Sequence, residues 1–494
     1  MMYVGGLNLH LEVFVSMSKF IGRKQELKCL KELTAKPTAS FIVVRGRRRI
    51  GKSRLIEEFS KEFDHYYAFA GLPPDEHTTA KHQLDEFSRQ ISREFKTAKT
   101  RFDDWSDAFW SIGERVQSGK VLILFDEVSW MGSKEPTFLG KIKNFWDTQL
   151  KKNDDLIFVI CGSASSWIEK NILSHTGFVG RISYTLSLDE LPLVDCAEFW
   201  PENVSAYEKF KVLSITGGIP KYLEEIFPKK SAEENIQRLC FSKGGFLVEE
   251  FEQIFSDIFL RKTDYYKKII KALINSPKEQ TEICELLGID RHGRIPEYLE
   301  ELNLAGFISI DYAWDLKTGR DSKIRQYRLS DNYLRFYLKY IEPNLSSIQR
   351  STYRLNTISS LPKWHSMIGL QFENLVLNNR SSLYRLLEIN LSDIVCENPY
   401  FQRKTSTHEG CQIDYMIQTK FNTLYICEIK FSKNPIGTDV ISEVQQKIDR
   451  LKRPKGFSCR PILIHVNGVT EDLLDEDYFA GIIDFSHLCR NFFI

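Results

Sequence analysis

Hydrophobic runs and amphipathic stretches alternate through the first 190 or so positions of the chain. Three runs rich in β-branched and aromatic residues predict buried strands: Ser40–Val44, Val121–Phe125 and Leu156–Cys161. Uninterrupted apolar runs suit the central strands of a parallel sheet, which are buried on both faces. Between the strands, stretches such as Arg54–Phe59 place apolar residues at helical spacing. The pattern predicts an α/β core over residues 20–191.

The pattern changes after residue 191. Residues 192–256 have a helical pattern and contain the turn Gly217-Gly218-Ile219-Pro220, which suits a helical lid over the core. Residues 257–345 contain three short helix patterns and then two strands that flank a basic loop. The helix patterns are Tyr265–Asn275, Thr281–Leu287 and Arg294–Leu304, and the strands are Gly306–Ile310 and Gln326–Leu329. Three helices followed by a hairpin describe a winged helix.

A second α/β pattern follows in residues 346–494. A helix pattern begins at Gly369–Asn374, and two strands with alternating apolar positions come later, at Gln412–Ile417 and Leu424–Lys430. Only Thr419–Thr423 separates these two strands, so they predict an antiparallel hairpin.

The clearest chemistry lies between the first strand and its helix. There the chain reads Gly46-Arg47-Arg48-Arg49-Ile50-Gly51-Lys52-Ser53, a complete phosphate-binding loop. In such a loop, backbone N–H groups and the helix N-terminus form an anion cradle. Lys52 can reach the β- and γ-phosphates, and the Ser53 hydroxyl can ligate Mg²⁺. The segment therefore predicts binding of ATP with Mg²⁺.

Carboxylates follow the second strand, and a serine follows the third. We expect Asp126 to hold Mg²⁺ through its water shell and Glu127 to orient or deprotonate the attacking water. On its own, this acidic pair would be read as a solvated turn; its place beside the phosphate loop favours catalysis. Ser163 is positioned to sense the γ-phosphate, although Gly-Ser after a strand is often a simple turn.

The segment Phe20-Ile21-Gly22-Arg23-Lys24-Gln25-Glu26-Leu27 resembles the F-x-G-R-x-x-E-L motif of the archaeal-type ATPases. This family is related to the STAND branch of AAA+ proteins. Gly180-Arg181 and Gly217–Leu223 resemble two further motifs of the family, and the resemblance covers nearly the whole chain. It implies that residues 20–27 lie near the nucleotide base and that the Gly-x-Pro turn touches nucleotide. It also implies that Arg181 is an arginine finger or sensor, acting on its own nucleotide or on that of a neighbour in a homo-oligomer. A plain surface role for Arg181 is the alternative.

The C-terminal hairpin carries a second candidate site. Asp414 and Glu428 can converge at one end of it, with Lys430 on the same strand face as Glu428. Two carboxylates suit a divalent cation such as Mg²⁺, and the lysine can position a metal-bound water. Ile413-Asp414 and Glu428-Ile429-Lys430 resemble the motifs of the PD-(D/E)XK nuclease fold, which implies that Glu373 is its helix-borne acidic residue. A surface hairpin with alternating charges is the alternative.

Contact with DNA is a further expectation. Arg291, His292 and Arg294 open the third helix of the predicted winged helix, and its wing is basic through Lys317, Arg320, Lys323 and Arg325. Winged helices also serve as packing modules beside ATPase lids, so both roles stay open. Gln445, Gln446 and Lys447, on a later helix pattern at Val444–Arg453, can touch phosphate or form a solvated face. The aromatic residues of Tyr327–Tyr337 predict core or interdomain packing.

Composition narrows the class of protein. A chain of 494 residues suggests about three domains, and a net charge of +1 gives no global attraction to nucleic acid. Ten cysteines show neither zinc spacing nor a disulfide framework, which fits a reducing cytoplasm. No apolar stretch approaches the roughly 18 residues of a membrane span. Met1–Val15 is a poor signal peptide, and we expect residues 1–16 to be a mis-assigned start or a disordered leader.

The sequence thus predicts a leader (1–19), a P-loop, AAA+-like ATPase core (20–191), a lid (192–256), a winged helix (257–345) and a restriction-endonuclease-like α/β domain (346–494). In the favoured interpretation, ATP binding and hydrolysis reposition a winged helix and a DNA-directed nuclease domain. In the alternative, the chain is a STAND-like switch whose C-terminal half is a non-catalytic module that binds protein or DNA.

Overall fold

The computed structural model describes residues 19–75, 77–258, 263–289, 293–406 and 408–489. The expected leader at residues 1–16, and Arg291 and His292 of the expected DNA-contacting helix, lie outside the described residues. Within them, twelve strands form three sheets. The strands are β1 Ser40–Arg45, β2 His65–Ala70, β3 Val121–Asp126, β4 Leu156–Gly162, β5 Tyr184–Ser187, β6 Ile308–Trp314, β7 Asp321–Leu329, β8 Ile394–Gln402, β9 Cys411–Thr419, β10 Thr423–Ile429, β11 Ser458–His465 and β12 Gly481–Asp484.

The first sheet has the order β2-β3-β4-β1-β5, and all of its strand pairs are parallel. The interior strands β1, β3 and β4 are almost wholly buried, as their uninterrupted apolar runs predict. Arg45 pairs with Gly162, and Asp126 ends β3 at the same edge of the sheet. The predicted parallel α/β core is therefore confirmed, and the loops that carry its chemistry meet at one edge.

Seven helices accompany this sheet. They are α1 Lys24–Leu33, α2 Lys52–Phe59, α3 Ala80–Glu94, α4 Trp105–Gly113, α5 Val128–Met131, α6 Phe138–Thr148 and α7 Ser165–Ile168. Helix α3 covers the edge strand β2: the Gln90 amide donates to the carbonyl of Ala70 at 2.9 Å and accepts from its N–H at 2.8 Å. Gln83 makes the same pair of bonds with Leu72, so side-chain amides satisfy backbone groups beside an edge that no strand pairs.

Residues 192–258 form the expected helical region. Its helices are α8 Leu193–Cys196, α9 Ala206–Thr216, α10 Pro220–Glu224, α11 Ala232–Cys240 and α12 Phe246–Ile258. Ser205 caps α9, and Ser231 with Glu234 forms a reciprocal capping box at the start of α11. Pro220 stands in the first turn of α10, where its missing N–H removes no helical hydrogen bond.

Three helices and a hairpin follow in the predicted order. The helices are α13 Thr263–Ala272, α14 Gln280–Leu287 and α15 Ile295–Leu304, and β6 pairs antiparallel with β7. The tip of the hairpin packs on the C-terminal sheet, where the Trp314 indole donates to Gln418 at 2.6 Å. Gln418 in turn donates to the carbonyl of Leu316 at 2.9 Å. The basic residues of the hairpin, Lys317, Arg320, Lys323 and Arg325, are exposed.

The aromatic segment Tyr327–Tyr337 is buried, in agreement with the predicted core or interdomain packing. Asp331 caps α16 (Asn332–Phe336), and the chain continues as a turn of π-helix before α17 (Leu345–Gln349). Tyr333 is buried and donates to the carbonyl of Leu247 in α12 at 2.9 Å. The ring of Tyr337 stacks on that of Phe251, also in α12, with 4.2 Å between the ring centroids. This segment therefore joins the helical region to the C-terminal part.

The C-terminal sheet is mixed and has the order β12-β11-β10-β9-β8. Strands β8, β9 and β10 pair antiparallel, whereas β10, β11 and β12 are parallel. The predicted hairpin is confirmed as β9–β10. The accompanying helices are α18 Trp364–Leu377, α19 Arg380–Leu386, α20 Asp439–Arg450 and α21 Glu471–Asp475. Helices α18 and α20 belong to different apolar clusters, each of which includes residues of the sheet. The sheet therefore lies between the two helices. In the described part of the chain, no helix is long and apolar enough to cross a membrane.

Candidate functional site

The phosphate loop adopts a backbone that its glycines permit. Gly46 has a φ of 148°, and a Cβ at this position would lie 2.6 Å from the carbonyl oxygen of Leu188. Gly51, with a φ of 90°, precedes α2. The Lys52 side chain is buried and donates to the carbonyls of Gly46 at 2.9 Å and Arg47 at 3.1 Å. Burial lowers the pKa of the Lys52 ammonium, against the attraction of Glu127. The loop therefore encloses one cation at the N-terminus of a helix.

The residues after β3 and β4 meet beside this loop. The Ser53 hydroxyl donates to Asp126 at 2.5 Å, so two oxygen ligands of the kind that Mg²⁺ prefers lie together. Glu127 has a left-handed backbone with a φ of 49°. Its carboxylate accepts from the Ser163 hydroxyl at 2.7 Å and from the Ser163 N–H at 3.1 Å. Ser163 therefore orients Glu127, and its expected role in sensing the γ-phosphate stays a prediction.

A cavity of about 900 Å³ opens over the loop and is lined by both polar and apolar residues. Its polar lining includes Lys52, Ser53, Arg48 and Glu127. The apolar lining comes from separate segments of the chain, including Phe20, Ile21, Phe199, Pro220, Leu223 and Ile226. The segments at residues 20–27 and 217–223 thus both border this cavity. Phe199 was missed by sequence reasoning, since only the packing of residues 192–226 against the core brings it here.

The three arginines of the loop have different surroundings. Arg47 is buried, forms an ion pair with Asp331, and donates to the Tyr222 hydroxyl at 3.2 Å. Arg49 pairs with the buried carboxylate of Glu250 in α12 at 3.1 Å. Arg48 and Arg49 both line the cavity, and the charged neighbours of Arg48 include Arg49, Glu250 and Glu127. Two of the three arginines therefore fix the loop to later parts of the chain.

Glu190 is a half-buried acid that the sequence did not single out. Its carboxylate accepts from the N–H of Gly218 at 3.0 Å and from the Asn378 amide at 3.3 Å. Burial raises the pKa of Glu190 to about 7, and the nearby Asp331 adds to this shift. Glu190 thus joins the Gly-Gly-Ile-Pro turn to the C-terminal part.

Arg181 lies away from the residues that line the cavity. Its guanidinium donates to Asp147 of α6 at 2.8–3.1 Å, and this contact lowers the pKa of the Asp147 carboxyl. The structure therefore gives Arg181 a partner within its own domain, and its role as a finger or sensor stays a prediction.

The two hairpin carboxylates come together at the C-terminal sheet. Lys447 of α20 donates to Asp414 at 3.1 Å and to Glu428 at 2.5 Å, so its ammonium bridges them. Lys430 lies 3.0 Å from the other oxygen of Glu428 and 2.6 Å from Glu443. Position 447 belongs to the face of α20 that includes Val444 and Ile448. A lysine on the face of the helix that packs on the sheet is the feature of the sequence that could have indicated this bridging role.

Electrostatics distinguish this cluster from an ordinary surface ion pair. Burial and the neighbouring Asp414 raise the pKa of Glu428, and the same two causes raise the pKa of Glu373 to about 8. Burial alone would lower the pKa of Lys447, but Asp414 and Glu428 together raise it. Among the described residues, no group of three or more His, Cys, Asp or Glu side chains is arranged to hold a metal ion. The cluster is therefore a pair of carboxylates bridged by an ammonium, with the acid Glu373 as a neighbour.

A five-stranded parallel sheet with a phosphate loop after β1 and carboxylates after β3 is the fold of P-loop ATPases, and a separate mixed sheet follows it here. Residues 20–226 match the family model described as an ATPase domain predominantly from Archaea. The match includes the phosphate loop, Asp126, Glu127 and the Gly-Gly-Ile-Pro turn. It supports an ATPase assignment for this part of the chain.

Similar proteins are found by sequence and by structure. An uncharacterized protein of Methanocaldococcus jannaschii is 28% identical over 355 residues, which cover 72% of this chain and 75% of the relative. The Walker-type ATPase PABY2304 of Pyrococcus abyssi has 17% identity and a TM-score of 0.46, covering 65% of this chain and 96% of its own. The Aeropyrum pernix ORC2 protein, solved as ADPNP–ADP complexes, has 13% identity and a TM-score of 0.41, covering 68% of this chain and 97% of its own.

Proposed function

We propose that the chain is a cytoplasmic ATPase that binds ATP with Mg²⁺ and hydrolyses it in the cavity over the phosphate loop. The observation that carries this proposal is the convergence of Lys52, Ser53 and Glu127 on a single cavity, with Asp126 hydrogen-bonded to Ser53. The apolar lining residues suit a purine base, and the polar ones suit a triphosphate.

Each polar residue of the site has a distinct role in this proposal. Lys52 contacts the β- and γ-phosphates. Ser53 and Asp126 would hold Mg²⁺, Asp126 through water, and the bound ion would neutralise phosphate charge. Glu127, fixed by Ser163, accepts a hydrogen bond from the attacking water and so orients it toward the γ-phosphorus. The loop N–H groups stabilise the phosphate oxygens without having to reorganise.

Two variants test the ATPase proposal. Lys52→Ala removes the cation that faces the phosphates, so ATP binding weakens severely and hydrolysis falls by roughly 10²-fold or more. Glu127→Gln keeps the shape of the site but loses the carboxylate, so ATP binds and persists without turnover. Binding is measured by calorimetry and turnover by phosphate release. Equal ATP affinity and equal turnover in the wild type and Lys52→Ala would contradict the proposal.

A second function is proposed for the C-terminal cluster: metal-dependent cleavage of DNA. It is supported by the meeting of Asp414 and Glu428 from adjacent strands, with Lys430 and Lys447 in contact with them. A divalent cation shared by the two carboxylates would take the place of the Lys447 ammonium and would lower the pKa of a bound water. Lys447 or Lys430 would then contact the scissile phosphate. In the alternative, the Lys447 bridge is permanent and the domain only binds protein or DNA.

A cleavage assay distinguishes these alternatives. Single-stranded, duplex and branched DNA are incubated with Mg²⁺ or Mn²⁺, with and without ATP, and Asp414→Ala is the matched variant. A nuclease loses cleavage in Asp414→Ala while its ATP hydrolysis is retained, because the two sites lie on separate sheets. If the wild type cleaves no DNA form in either metal, the switch interpretation is favoured.

DNA binding by the basic wing is part of the same proposal. Lys317, Arg320, Lys323 and Arg325 are exposed on β7 and the adjacent turn, although the tip of the hairpin packs on the C-terminal sheet. Paired replacement of Lys323 and Arg325 by alanine should weaken DNA binding and reduce its salt dependence, measured by fluorescence anisotropy. Unchanged affinity would assign the hairpin to packing alone.

A further inference from the structure

Two arginines of the phosphate loop, Arg48 and Arg49, line the nucleotide cavity, and Arg49 is paired with Glu250. Arg48 is half-buried and lines the cavity together with Lys52 and Glu127. Its charged neighbours include Glu127, the proposed water-orienting carboxylate, and Glu250 of α12. A guanidinium near Glu127 is also near the site of attack on the γ-phosphorus, since the water oriented by Glu127 must face that atom.

The residues on either side restrict where Arg48 can lie. Arg47 is anchored to Asp331 and Tyr222, and Arg49 to Glu250 and Gln253. Arg49 also has a left-handed backbone with a φ of 70°. Because both neighbours are tied to elements outside the loop, the backbone that presents Arg48 to the cavity is held from both sides. Such preorganisation is what electrostatic stabilisation of a transition state requires.

We propose that Arg48 contacts the γ-phosphate and stabilises the transition state of hydrolysis, so that this chain supplies its catalytic arginine from the phosphate loop itself. The inference rests on the proposed ATPase function and deepens it. In the reaction, the water oxygen forms a bond to the γ-phosphorus while the bond to the β,γ-bridging oxygen breaks. The electron pair of that bond stays on ADP, and the proton of the water passes by way of Glu127 to the released phosphate. Arg48 offers a planar fork of N–H donors to the γ-phosphate oxygens as their charge redistributes.

Arg181, the arginine that the family resemblance singles out, donates to Asp147 and does not line the cavity, whereas Arg48 does. The two arginines therefore give opposite expectations for the same experiment, and that experiment can discriminate between them.

The test compares Arg48→Ala, Arg48→Lys and Arg181→Ala, with Arg93→Ala as a control for loss of an exposed positive charge. For each protein, kcat, KM and ADP affinity are measured, together with trapping of ADP by aluminium fluoride, which mimics the transferring phosphoryl group. We expect Arg48→Ala to lower kcat by about 10³-fold and to abolish trapping, with ADP affinity within a few-fold of the wild type. Arg48→Lys should recover part of kcat, since it keeps the charge without the fork.

ADP binding also shows that each variant is folded. If Arg48→Ala does not fold, Arg48→Lys still tests the inference. A kcat for Arg48→Ala within twofold of the wild type overturns the inference while the ATPase proposal stands. A parallel loss of ADP affinity and kcat also overturns it, because Arg48 would then act in ground-state binding. Loss of kcat in Arg181→Ala alone assigns the role to Arg181. Wild-type protein without ATP turnover removes the proposed function itself.

Discussion

At the scale of single residues, the half-buried acid Glu190 has a shifted pKa, and it accepts hydrogen bonds from Gly218 and Asn378. Its pKa is raised to about 7, so between its ordinary pKa of 4.5 and 7 the folded protein binds a proton that the unfolded chain has released. Below pH 4.5 the acid is protonated in both the folded and the unfolded protein, so it does not change the free energy of unfolding. As the pH rises from 4.5 to 7, the unfolded chain gains from ionising Glu190 while the folded protein does not, so the free energy of unfolding falls.

Glu190→Gln should flatten this part of the stability curve. Glutamine keeps an oxygen that accepts from Gly218 but has no charge to bury, so the variant gains Tm relative to the wild type as the pH rises from 5 to 8. Thermal melts across that range measure the difference, with Glu114→Gln at an exposed position as control. An identical pH dependence in the wild type and Glu190→Gln would contradict the raised pKa.

Single residues also show how far the sequence could lead. Lys52, Ser53, Asp126 and Glu127 were predicted together because each follows a strand whose apolar run is visible in the sequence. Glu190 carries no such local signal, and its burial arises from elements that pack around it. The ion pair between Arg181 and Asp147 could not be read from spacing either, since nothing in the sequence aligns a residue of α6 with the turn before β5.

At the scale of elements, α20 determines the state of the C-terminal cluster. Its apolar residues Val440, Val444 and Ile448 pack on the sheet, and Lys447 reaches Asp414 and Glu428 from the adjoining position. The two carboxylates were predicted from the alternation along β9 and β10. The bridging lysine was left open, because the sequence does not show how α20 is oriented over the hairpin.

Lys447→Met should change how this cluster responds to cations. The variant keeps a long side chain but leaves Asp414 and Glu428 without their bridging charge, so its Tm without divalent cations should fall. Addition of Mg²⁺ or Mn²⁺ should then raise its Tm more than that of the wild type, because the cation no longer competes with an ammonium. Lys455→Met, at an exposed position, is the control in thermal melts. Equal metal-induced shifts in all three proteins would argue against a cation site.

At the scale of the whole molecule, a line of buried polar contacts runs from the phosphate loop toward the C-terminal cluster. Arg47 pairs with Asp331, which caps α16, and the next residue, Asn332, accepts from the Asn374 amide at 2.9 Å. Asn374 belongs to α18, beside Glu373. These contacts join segments that are far apart in the sequence, so they were beyond prediction even though every element involved was anticipated.

Asp331→Asn tests whether these polar contacts couple the phosphate loop to the C-terminal cluster. Asparagine still caps α16 but removes the charge opposite the buried Arg47, so we expect a loss of stability of roughly 3–5 kcal/mol. Hydrogen exchange of the 364–377 segment, measured with and without ATP, should respond less to nucleotide in this variant than in the wild type. Asp315→Asn, in the exposed wing turn, provides the control. A nucleotide response of α18 that is the same in all three proteins would exclude coupling through Asp331.

The packing of the hairpin tip has a consequence for how such a chain can diversify. Trp314 and Leu316 belong to the same apolar cluster as Ile413, Met416 and Leu424 of the C-terminal sheet. A recombination event that joined residues 1–345 to an unrelated C-terminal domain would leave this tryptophan and leucine without their neighbours. The hairpin and the sheet it contacts must therefore be inherited together or change in step, whatever partner or substrate the last domain acquires.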